Sequence, residues 1–425
     1  MSGLLIAAPG SGAGKTTVTL ALLRHLKSLG IKVRGAKSGP DYIDPRFHEA
    51  ACGLACPNLD AWAMSPDRLR ALAKGSGLLI VEGAMGLFDG TPPNGQGSAA
   101  DVARALGLPV ILVVNASHMA QSVAALVRGF AAHDPDVHIA GVILNNIGSD
   151  RHEAMLRAAL APLGLPVLAA LHRSADLNLP SRHLGLVQAE ERTDLDRFLD
   201  NAAHALGQSL DIDRLLSLAA PLTPPAYSPP RSAPPGQVIA VARDPAFAFS
   251  YPHLLDDWRA QGAEVRFFSP LADEPVPPAD FIYLPGGYPE LHAARLAAAH
   301  RFRDSIRRAS ETTRIYGECG GYMTLGQSLI DAQGAAHEML GLLPLTTSFQ
   351  NRKLHLGYRR LSALGGPFTG HFAAHEFHYV STISTGKAPA LFAASNAEGD
   401  ALPDMGLIQG NASGSFAHLI DLTSP

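Results

Sequence analysis

Short apolar runs alternate with amphipathic stretches along the first half of the chain. The runs occupy residues 4–8, 33–36, 78–81, 110–114, 139–144 and 167–171. Amphipathic stretches of helical length, such as residues 15–29, separate them. Buried parallel strands read as continuous apolar runs, because helices cover both faces of their sheet. The pattern therefore predicts an open α/β domain with a parallel sheet.

The same alternation resumes in the second half, after a segment of different composition. Residues 219–236 are dense in proline and nearly free of charge, so they cannot hold a helix or a central strand. The apolar runs beyond them are residues 238–241, 265–268, 281–284 and 314–316. We therefore predict a domain of residues 1–218, a linker of residues 219–236 and a second α/β domain of residues 237–425.

Composition narrows the classes of protein that fit this chain. Its 425 residues, 47% of them apolar, and its formal net charge of −4 are typical of a globular protein of two domains. No basic field indicates nucleic acid, the longest apolar run is too short to span a bilayer, and the first residues lack a secretion signal. We expect a cytoplasmic protein without nucleic-acid or membrane partners, and a homodimer as the commonest oligomer. Cys52, Cys56 and Cys319 provide no disulfide framework.

A phosphate-binding loop is predicted between the first strand and the first helix. Residues 8–17 read APGSGAGKTT. Backbone N–H groups of such a loop hold phosphate oxygens, Lys15 reaches the β and γ phosphates, and the Thr16 hydroxyl can bind Mg²⁺. The predicted ATP-binding residues of the loop are Gly12, Gly14, Lys15, Thr16 and Thr17. Pro9 stands where the usual spacing has a glycine, and the longer loop resembles that of dethiobiotin-synthetase-like enzymes.

Polar residues follow several of the predicted strands. Glu82 ends the third apolar run, and Asp41 and Asp44 follow the second. The carboxyl ends of parallel strands share one edge of a sheet, so we predict a metal site formed by Thr16, Asp44 and Glu82. A solvated turn is an equally good explanation of the aspartates. Asn145, after a later strand, is predicted to contact the adenine of ATP or else to cap its own loop.

A glycine-flanked cysteine in the second half points to a different chemistry. Residues 317–321 read GECGG, directly after the apolar run 314–316 and before a helix-like stretch. Such a strand-turn-helix is a nucleophile elbow, and the positive end of the helix is expected to lower the pKa of the Cys319 thiol. We predict that Cys319 is a covalent catalyst. A buried structural cysteine is the plainer alternative.

A phosphate site and an activated cysteine on one chain suggest an amide-forming reaction. Hydrolysis of glutamine through a cysteine thioester releases ammonia, and ATP converts a carboxylate into an acyl phosphate that ammonia attacks. The second half resembles the class I glutamine amidotransferases, which implies that His418 is the base of Cys319. The same resemblance implies an oxyanion hole formed by the N–H groups of Gly287 and Gly320. The usual H-x-E pattern is incomplete, since isoleucine occupies its third position and Asp421 is displaced by one residue.

Five longer motifs carry a resemblance that covers nearly the whole chain. They are GPDYIDP at residues 39–45, EGAMGLFDG at 82–90, LPSRHLGL at 179–186, LPGGYPE at 284–290 and HEFHY at 375–379. All five resemble motifs of the cobyrinate and hydrogenobyrinate a,c-diamide synthases. The resemblance implies a dethiobiotin-synthetase-like P-loop domain followed by a flavodoxin-like glutamine amidotransferase domain. It also implies amidation of the a and c acetate groups of a corrin-ring precursor with glutamine, ATP and Mg²⁺, and it leaves open whether the ring contains cobalt.

Four residues are predicted to contact the corrin precursor, namely Asp41, Asp89, His375 and His378. A turn explains Asp89 equally well, and packing explains the two histidines. Zinc at the H-x-x-H spacing is disfavoured by the β-rich surroundings.

Three other functions stay open at this point. One is a cobyric-acid-synthase-like amidation of other side chains. Another is a nucleotide-dependent switch like that of the partition-type ATPases, although Gly10 stands where their additional lysine falls. The third is a thiol hydrolase that the ATPase regulates.

Overall fold

The structure is a computed structural model that describes residues 2–177, 181–182 and 185–423. It divides into two compact units, residues 1–229 and residues 230–425. The predicted motif LPSRHLGL lies partly outside the described residues. None of the described helices is long and apolar enough to cross a bilayer.

The first unit is built on a parallel sheet. Its strands are β1 (Ser2–Ala7), β2 (Val33–Ser38), β3 (Asn58–Leu59), β4 (Leu78–Glu82), β5 (Val110–Asn115), β6 (Ile139–Ile147), β7 (Val167–His172), β8 (Ser181–Arg182), β9 (Gly185–Leu186) and β10 (Ala220–Pro221). The order across the sheet is β3-β2-β4-β1-β5-β6-β7, and every neighbouring pair on this path is parallel. Strands β8 and β9 form a separate antiparallel pair.

Helices connect the parallel strands of the first unit. They are α1 (Lys15–Ser28), α2 (Asp44–Cys52), α3 (Pro66–Ala73), α4 (Ala99–Leu106), α5 (Val123–His133), α6 (Asp150–Leu160), α7 (Leu195–Gly207) and α8 (Ile212–Leu218), with 3₁₀ turns at Ala161–Leu163, Ala175–Leu177 and Ala189–Glu191. All five residues of β4 are buried, as are the first five of β5. Because both faces of these strands are covered, their sequence shows a continuous apolar run instead of an alternation.

The first part of the predicted linker packs onto the first unit. Strand β10 pairs antiparallel with Ser2 and Gly3 of β1. Further along, the N–H of Ala226 donates a hydrogen bond to Oδ1 of Asp67, at 2.8 Å. A proline can occupy such a short edge pairing because only one side of the strand is hydrogen-bonded.

The second unit combines a largely parallel sheet with a mixed sheet, in which β15 and β17 are parallel, and an antiparallel sheet. Its strands are β11 (Val238–Ala242), β12 (Glu264–Phe268), β13 (Phe281–Leu284), β14 (Arg314–Glu318), β15 (Ser328–Ile330), β16 (Ala336–Glu338), β17 (Leu345–Ser348), β18 (His355–Ala363), β19 (His371–His378), β20 (Ser381–Thr385), β21 (Phe392–Asn396), β22 (Ala401–Met405), β23 (Leu407–Gln409), β24 (Ala412–Ser415) and β25 (His418–Thr423). Its helices are α9 (Pro252–Ala260), α10 (Ala293–Ala298), α11 (His300–Ala309) and α12 (Gly320–Leu325), with a 3₁₀ turn at Pro289–Leu291.

Three sheets organise these strands. The first has the order β12-β11-β13-β14-β24-β23, in which β23 alone is antiparallel to its neighbour. The others have the orders β16-β15-β17-β20 and β22-β21-β18-β19-β25. Each apolar run predicted from the sequence overlaps a strand of one of the two parallel sheets, which confirms the predicted α/β fold. The mixed sheet and the antiparallel sheet of the second unit were not predicted from the sequence.

Candidate active sites

The phosphate-binding loop of the first unit is held in shape by its own contacts. Helix α1 begins at Lys15, directly after Gly14, whose φ of 89° lies in the left-handed region that favours glycine. Nζ of Lys15 donates a hydrogen bond to the carbonyl of Gly10, at 3.1 Å, so the ammonium group lies over the loop. Nδ2 of Asn145 donates to the carbonyl of Ala13, at 3.0 Å. Asn145 therefore supports the loop, and its contact with adenine stays a prediction.

A cavity of about 520 Å³ opens beside this loop. It brings together nine residues that were predicted for the site, namely Gly12, Gly14, Lys15, Thr16, Thr17, Asp41, Asp44, Glu82 and Asn145. Asp89 does not line it. Oδ2 of Asp89 accepts a hydrogen bond from the N–H of Gly86, at 2.9 Å. This contact fits the turn role that the sequence offered for Asp89 besides substrate binding.

The predicted metal ligands converge within the first unit. Oγ1 of Thr16 lies 2.7 Å from Oε1 of Glu82 and 3.4 Å from Oδ2 of Asp44. Glu82 is fully buried, and Asp44 is the first residue of α2. Hydroxyl and carboxylate oxygens are the donors that Mg²⁺ prefers, so this set fits the ion.

Lys37 joins the two carboxylates and was missed by the sequence analysis. Its Nζ lies 2.6 Å from Oδ2 of Asp44 and 2.7 Å from Oε1 of Glu82. Burial alone would disfavour its charge, but the attraction of Asp44 and Glu82 outweighs burial and raises the pKa of Lys37. A lysine inside the fully buried strand β2 was the available signal, because a buried charge requires a partner.

The same environment shifts the pKa values of Asp44 and Glu82 in opposite directions. Burial and then the charge of Asp41 raise the pKa of Asp44 to about 6, against the pull of Lys37. Burial would also raise the pKa of Glu82, but Lys37 and a hydrogen bond from His48 lower it below its ordinary value. Nε2 of His48 lies 2.6 Å from Oε2 of Glu82. Glu82 is therefore the carboxylate that stays charged, and Asp44 is the one that titrates.

Two contacts of Asp41 are local. Its Oδ1 accepts hydrogen bonds from the N–H groups of Ile43 and Asp44, at 2.8 and 3.0 Å. Its other oxygen lies 4.0 Å from Nζ of Lys37. Asp41 thus shapes the turn that leads into α2, and its contact with substrate stays a prediction.

The second unit contains the predicted nucleophile elbow. Cys319 joins β14 to α12 with φ 45° and ψ −99°, a conformation that few residues adopt outside strained functional turns. Its N–H donates to the carbonyl of Ser415, at 2.8 Å. A Cβ on Gly317 would lie 2.6 Å from the carbonyl carbon of Gly321. Glycine is required here because strand and helix approach each other so closely.

The expected effect of the helix on the thiol is wrong for this structure. Only 2% of Cys319 is exposed, and burial, followed by the negative charge of Glu290, raises the pKa of its thiol. Helix α12 has six residues, so its dipole is short and does not outweigh desolvation. Burial therefore disfavours the thiolate of Cys319.

The predicted base and oxyanion groups border the elbow. A Cβ on Gly286 would overlap the imidazole ring of His418, so this glycine backs the ring. On the next residue, the N of Gly287 lies 3.0 Å from the position that a Cβ on Gly320 would take. Gly286 and Gly287 follow β13, Gly320 follows Cys319, and His418 is the first residue of β25. The predicted base and the predicted oxyanion residues therefore meet around the loop after β13.

Most of each unit matches a known protein family. Residues 4–187 match the CobQ/CobB/MinD/ParA nucleotide binding domain, and residues 238–424 match the CobB/CobQ-like glutamine amidotransferase domain. Among curated proteins, the hydrogenobyrinate a,c-diamide synthase of Brucella anthropi is 56% identical, with 99% of each chain covered. Those of Rhizobium meliloti and Rhodobacter capsulatus are 54% and 50% identical, with 100% and 98% of each chain covered.

This chain belongs to the hydrogenobyrinate a,c-diamide synthase family. The predicted resemblance is thereby confirmed. As a member of that family it has a nucleotide-binding domain and a glutamine amidotransferase domain, and it is a glutamine-dependent amide-forming ligase that acts on small molecules.

The two histidines of the HEFHY motif, His375 and His378, differ in their contacts. His375 is the cross-strand partner of His418. Burial and the nearby His418 lower the pKa of His375 to about 3, so its ring is neutral. His378 stacks on Phe416, with ring centroids 4.2 Å apart. Their contact with substrate stays a prediction.

Among the described residues, the possible metal ligands near His378 are His355 and Glu376, and His375 is not among them. A ring nitrogen of His378, one of His355 and a carboxylate oxygen of Glu376 lie within 4.8 Å of one another. However, the rings of His355 and His378 are nearly parallel, at 13°, so their lone pairs cannot converge on one ion. Arg359 also holds Glu376 at 2.7 Å. This cluster is an ion pair with stacked rings.

Proposed function

We propose that this enzyme converts the a and c acetate carboxylates of hydrogenobyrinic acid into carboxamides, with ATP and glutamine as co-substrates. The observation that carries the proposal is the full-length similarity to proteins named hydrogenobyrinate a,c-diamide synthase. These relatives are named for hydrogenobyrinate, the cobalt-free ring, which supports it as the substrate. Their full-length coverage also speaks against a cobyric-acid-synthase-like reaction and against a fused switch or hydrolase.

The first unit would perform the ATP-dependent half of the reaction. Lys15 and the loop amides hold the triphosphate, and Thr16, Asp44 and Glu82 hold Mg²⁺. When bound, Mg²⁺ would neutralise negative charge on the phosphates. A ring carboxylate oxygen attacks the γ-phosphorus, which forms an acyl phosphate and ADP. Ammonia then attacks the acyl carbon, and the amide and inorganic phosphate result.

The second unit would supply the ammonia. His418 takes the proton of the Cys319 thiol, and the thiolate attacks the side-chain amide carbon of glutamine. The N–H groups of Gly287 and Gly320 face the oxyanion that develops. His418 returns the proton to the departing ammonia, and water then hydrolyses the thioester to glutamate.

Predictions of the substrate contacts, the location in the cell and the oligomeric state are retained. Asp41, Asp89, His375 and His378 are proposed to contact the corrin precursor. We propose a cytoplasmic location, because ATP and glutamine are both available there. A homodimer stays a prediction that rests on the prevalence of symmetric pairs.

The experiment that tests the proposal compares two ring substrates. The full-length protein is incubated with Mg-ATP, glutamine and either hydrogenobyrinic acid or cobyrinic acid, and the products are identified by mass spectrometry. Two new carboxamides on the cobalt-free ring, with formation of glutamate and ADP, are expected. Amidation of the cobalt-containing ring alone would overturn the assignment of hydrogenobyrinic acid as the substrate. Hydrolysis of ATP without any new amide would overturn the function.

A further inference from the structure

A buried carboxylate stands next to the nucleophile and has no role in the mechanism above. Glu318 is the last residue of β14 and directly precedes Cys319. Its side chain is 3% exposed. A carboxylate is seldom buried this deeply without a partner that requires its charge.

The contacts of Glu318 aim it at the predicted base. Its Oε2 lies 3.6 Å from Nδ1 of His418. Its other oxygen, Oε1, accepts a hydrogen bond from the N–H of Leu419, at 3.1 Å. Because Leu419 follows His418 in the chain, one carboxylate contacts both the backbone and the ring at this point of β25.

A tyrosine fixes the carboxylate from the other side. The hydroxyl of Tyr283 donates a hydrogen bond to Oε2 of Glu318, at 2.6 Å. Burial and the adjacent charge of Glu318 raise the pKa of Tyr283, so this hydroxyl remains a donor. Glu318 therefore has a defined orientation before glutamine binds.

We propose that Glu318 is the carboxylate that orients His418, in place of the third member of the H-x-E pattern, which this chain lacks. The inference rests on the proposed glutaminase function. A histidine base must keep its proton on the nitrogen that faces away from the nucleophile, and a carboxylate at that nitrogen fixes the tautomer and stabilises the imidazolium. The distance of 3.6 Å is that of an ion pair, and such contacts commonly shorten when substrate binds.

Asp421 provides a matched comparison on the same strand. It is buried, and its Oδ1 accepts a hydrogen bond from the N–H of the next residue, Leu422, at 2.9 Å. A register shift in the β19–β25 pairing lies between it and His418. The sequence places Asp421 one residue beyond the third position of the H-x-E pattern and identifies no triad carboxylate, whereas Glu318 is the carboxylate that lies beside Nδ1 of His418.

The test measures glutamine hydrolysis and ammonia-supported amidation in the full chain. Glu318→Gln keeps the size of the side chain and an oxygen acceptor for Leu419. We expect its kcat for glutamine hydrolysis to fall on the order of 100-fold, with KM for glutamine within about twofold of wild type. Ammonia-supported amidation should stay within about twofold, and Asp421→Asn should resemble wild type.

Three outcomes would overturn the proposal. Glu318→Gln could retain kcat within about threefold of wild type, Asp421→Asn could show the loss instead, or Glu318→Gln could change kcat, KM and ammonia-supported activity together, as a purely structural residue does. Cys319→Ser in the same assay distinguishes failure of the proposal for Glu318 from failure of the proposed glutaminase. If wild type hydrolyses glutamine and Cys319→Ser does not, the proposed glutaminase function stands whatever the result for Glu318.

Discussion

Burial sets the chemistry of single side chains in both units of this protein. It raises the pKa of Cys319 and of Asp44, and it would do the same to Glu82 without Lys37 beside it. None of these pKa shifts can be predicted from the identity of the residue alone. The low pKa of Glu82 depends on a neighbour that is distant in sequence, Lys37, which lies 45 residues away.

The role of Cys319 leads to a prediction about two sources of ammonia. Cys319→Ser should reduce glutamine-supported amidation by at least about 1,000-fold, because the hydroxyl is a far weaker nucleophile in this buried site. Ammonium-supported amidation should stay within about twofold of wild type. Product formation with glutamine and with an ammonium salt measures both. Cys52→Ser is the control, since the thiol of Cys52 lies in the first unit and donates to the carbonyl of Leu54. Equal losses in both variants would contradict the prediction.

The raised pKa of Asp44 predicts a pH-dependent response to Mg²⁺. Its pKa is about 6 in the folded protein and 3.8 in a model peptide, so between these values the folded state binds the additional proton. The contribution of Asp44 to stability is therefore present at low pH and is lost as pH rises through about 6. Binding of Mg²⁺ requires the charged form, so the ion should stabilise the protein more above this pH than below it.

Thermal unfolding with and without Mg²⁺, at about pH 5 and about pH 7.5, measures this effect. The increase in Tm on adding Mg²⁺ should be larger at the higher pH. In Asp44→Asn the amide cannot ionise, so the increase should be small at both values. The same increase at both pH values in the wild-type protein would exclude Asp44 as the titrating ligand.

At the scale of elements, the two sites depend on tight turns at the ends of parallel strands. The β1–α1 turn holds the phosphate loop, and the β14–α12 turn holds Cys319. The sequence predicted both, because glycines and a reactive side chain occur together between an apolar run and a helix. Antiparallel strands such as β18 were not predicted. Its nine residues mix polar and apolar side chains without alternation, and one of them, Leu361, is buried.

Close packing of the β14–α12 turn predicts a sensitive glycine. A Cβ on Gly321 would overlap the carbonyl of Leu284 at the end of β13. Gly321→Ala should therefore lower the free energy of unfolding by about 1–3 kcal/mol and abolish glutamine hydrolysis, because the elbow must shift. Chemical denaturation and a glutaminase assay measure the two effects.

Gly129→Ala is the matched control for this substitution. Gly129 lies in α5, where a Cβ would meet nothing within 4 Å. Because alanine favours a helix over glycine, this variant should be as stable as wild type or more stable by up to about 1 kcal/mol. A Gly321→Ala variant that matches it in stability and retains glutaminase activity would show that the elbow tolerates a side chain.

At the scale of the whole molecule, the boundary between the units predicts the behaviour of fragments. Residues 1–229 form one compact unit, and β10 and Ala226 lie within it but beyond residue 218. A fragment of residues 1–229 should be more stable than one of residues 1–218 by about 1–2 kcal/mol, since the shorter one loses these hydrogen bonds. Urea denaturation of both fragments measures the difference, and extension to residue 236 should add nothing further. Equal stability of the two would assign residues 219–229 to the linker.

The sequence alone determined the α/β architecture, the phosphate loop, the nucleophile elbow and the family, because each is written in consecutive residues or in a local period. Residues far apart in the chain decided the rest. The pairing of Lys37 with Asp44 and Glu82, the approach of Glu318 to His418, and the burial that raises the pKa of Cys319 exist only once strands are aligned in a sheet. The spacing of residues along the chain does not predict such contacts. Packing of the folded chain sets the distances between the charged groups and the degree to which these groups lose water.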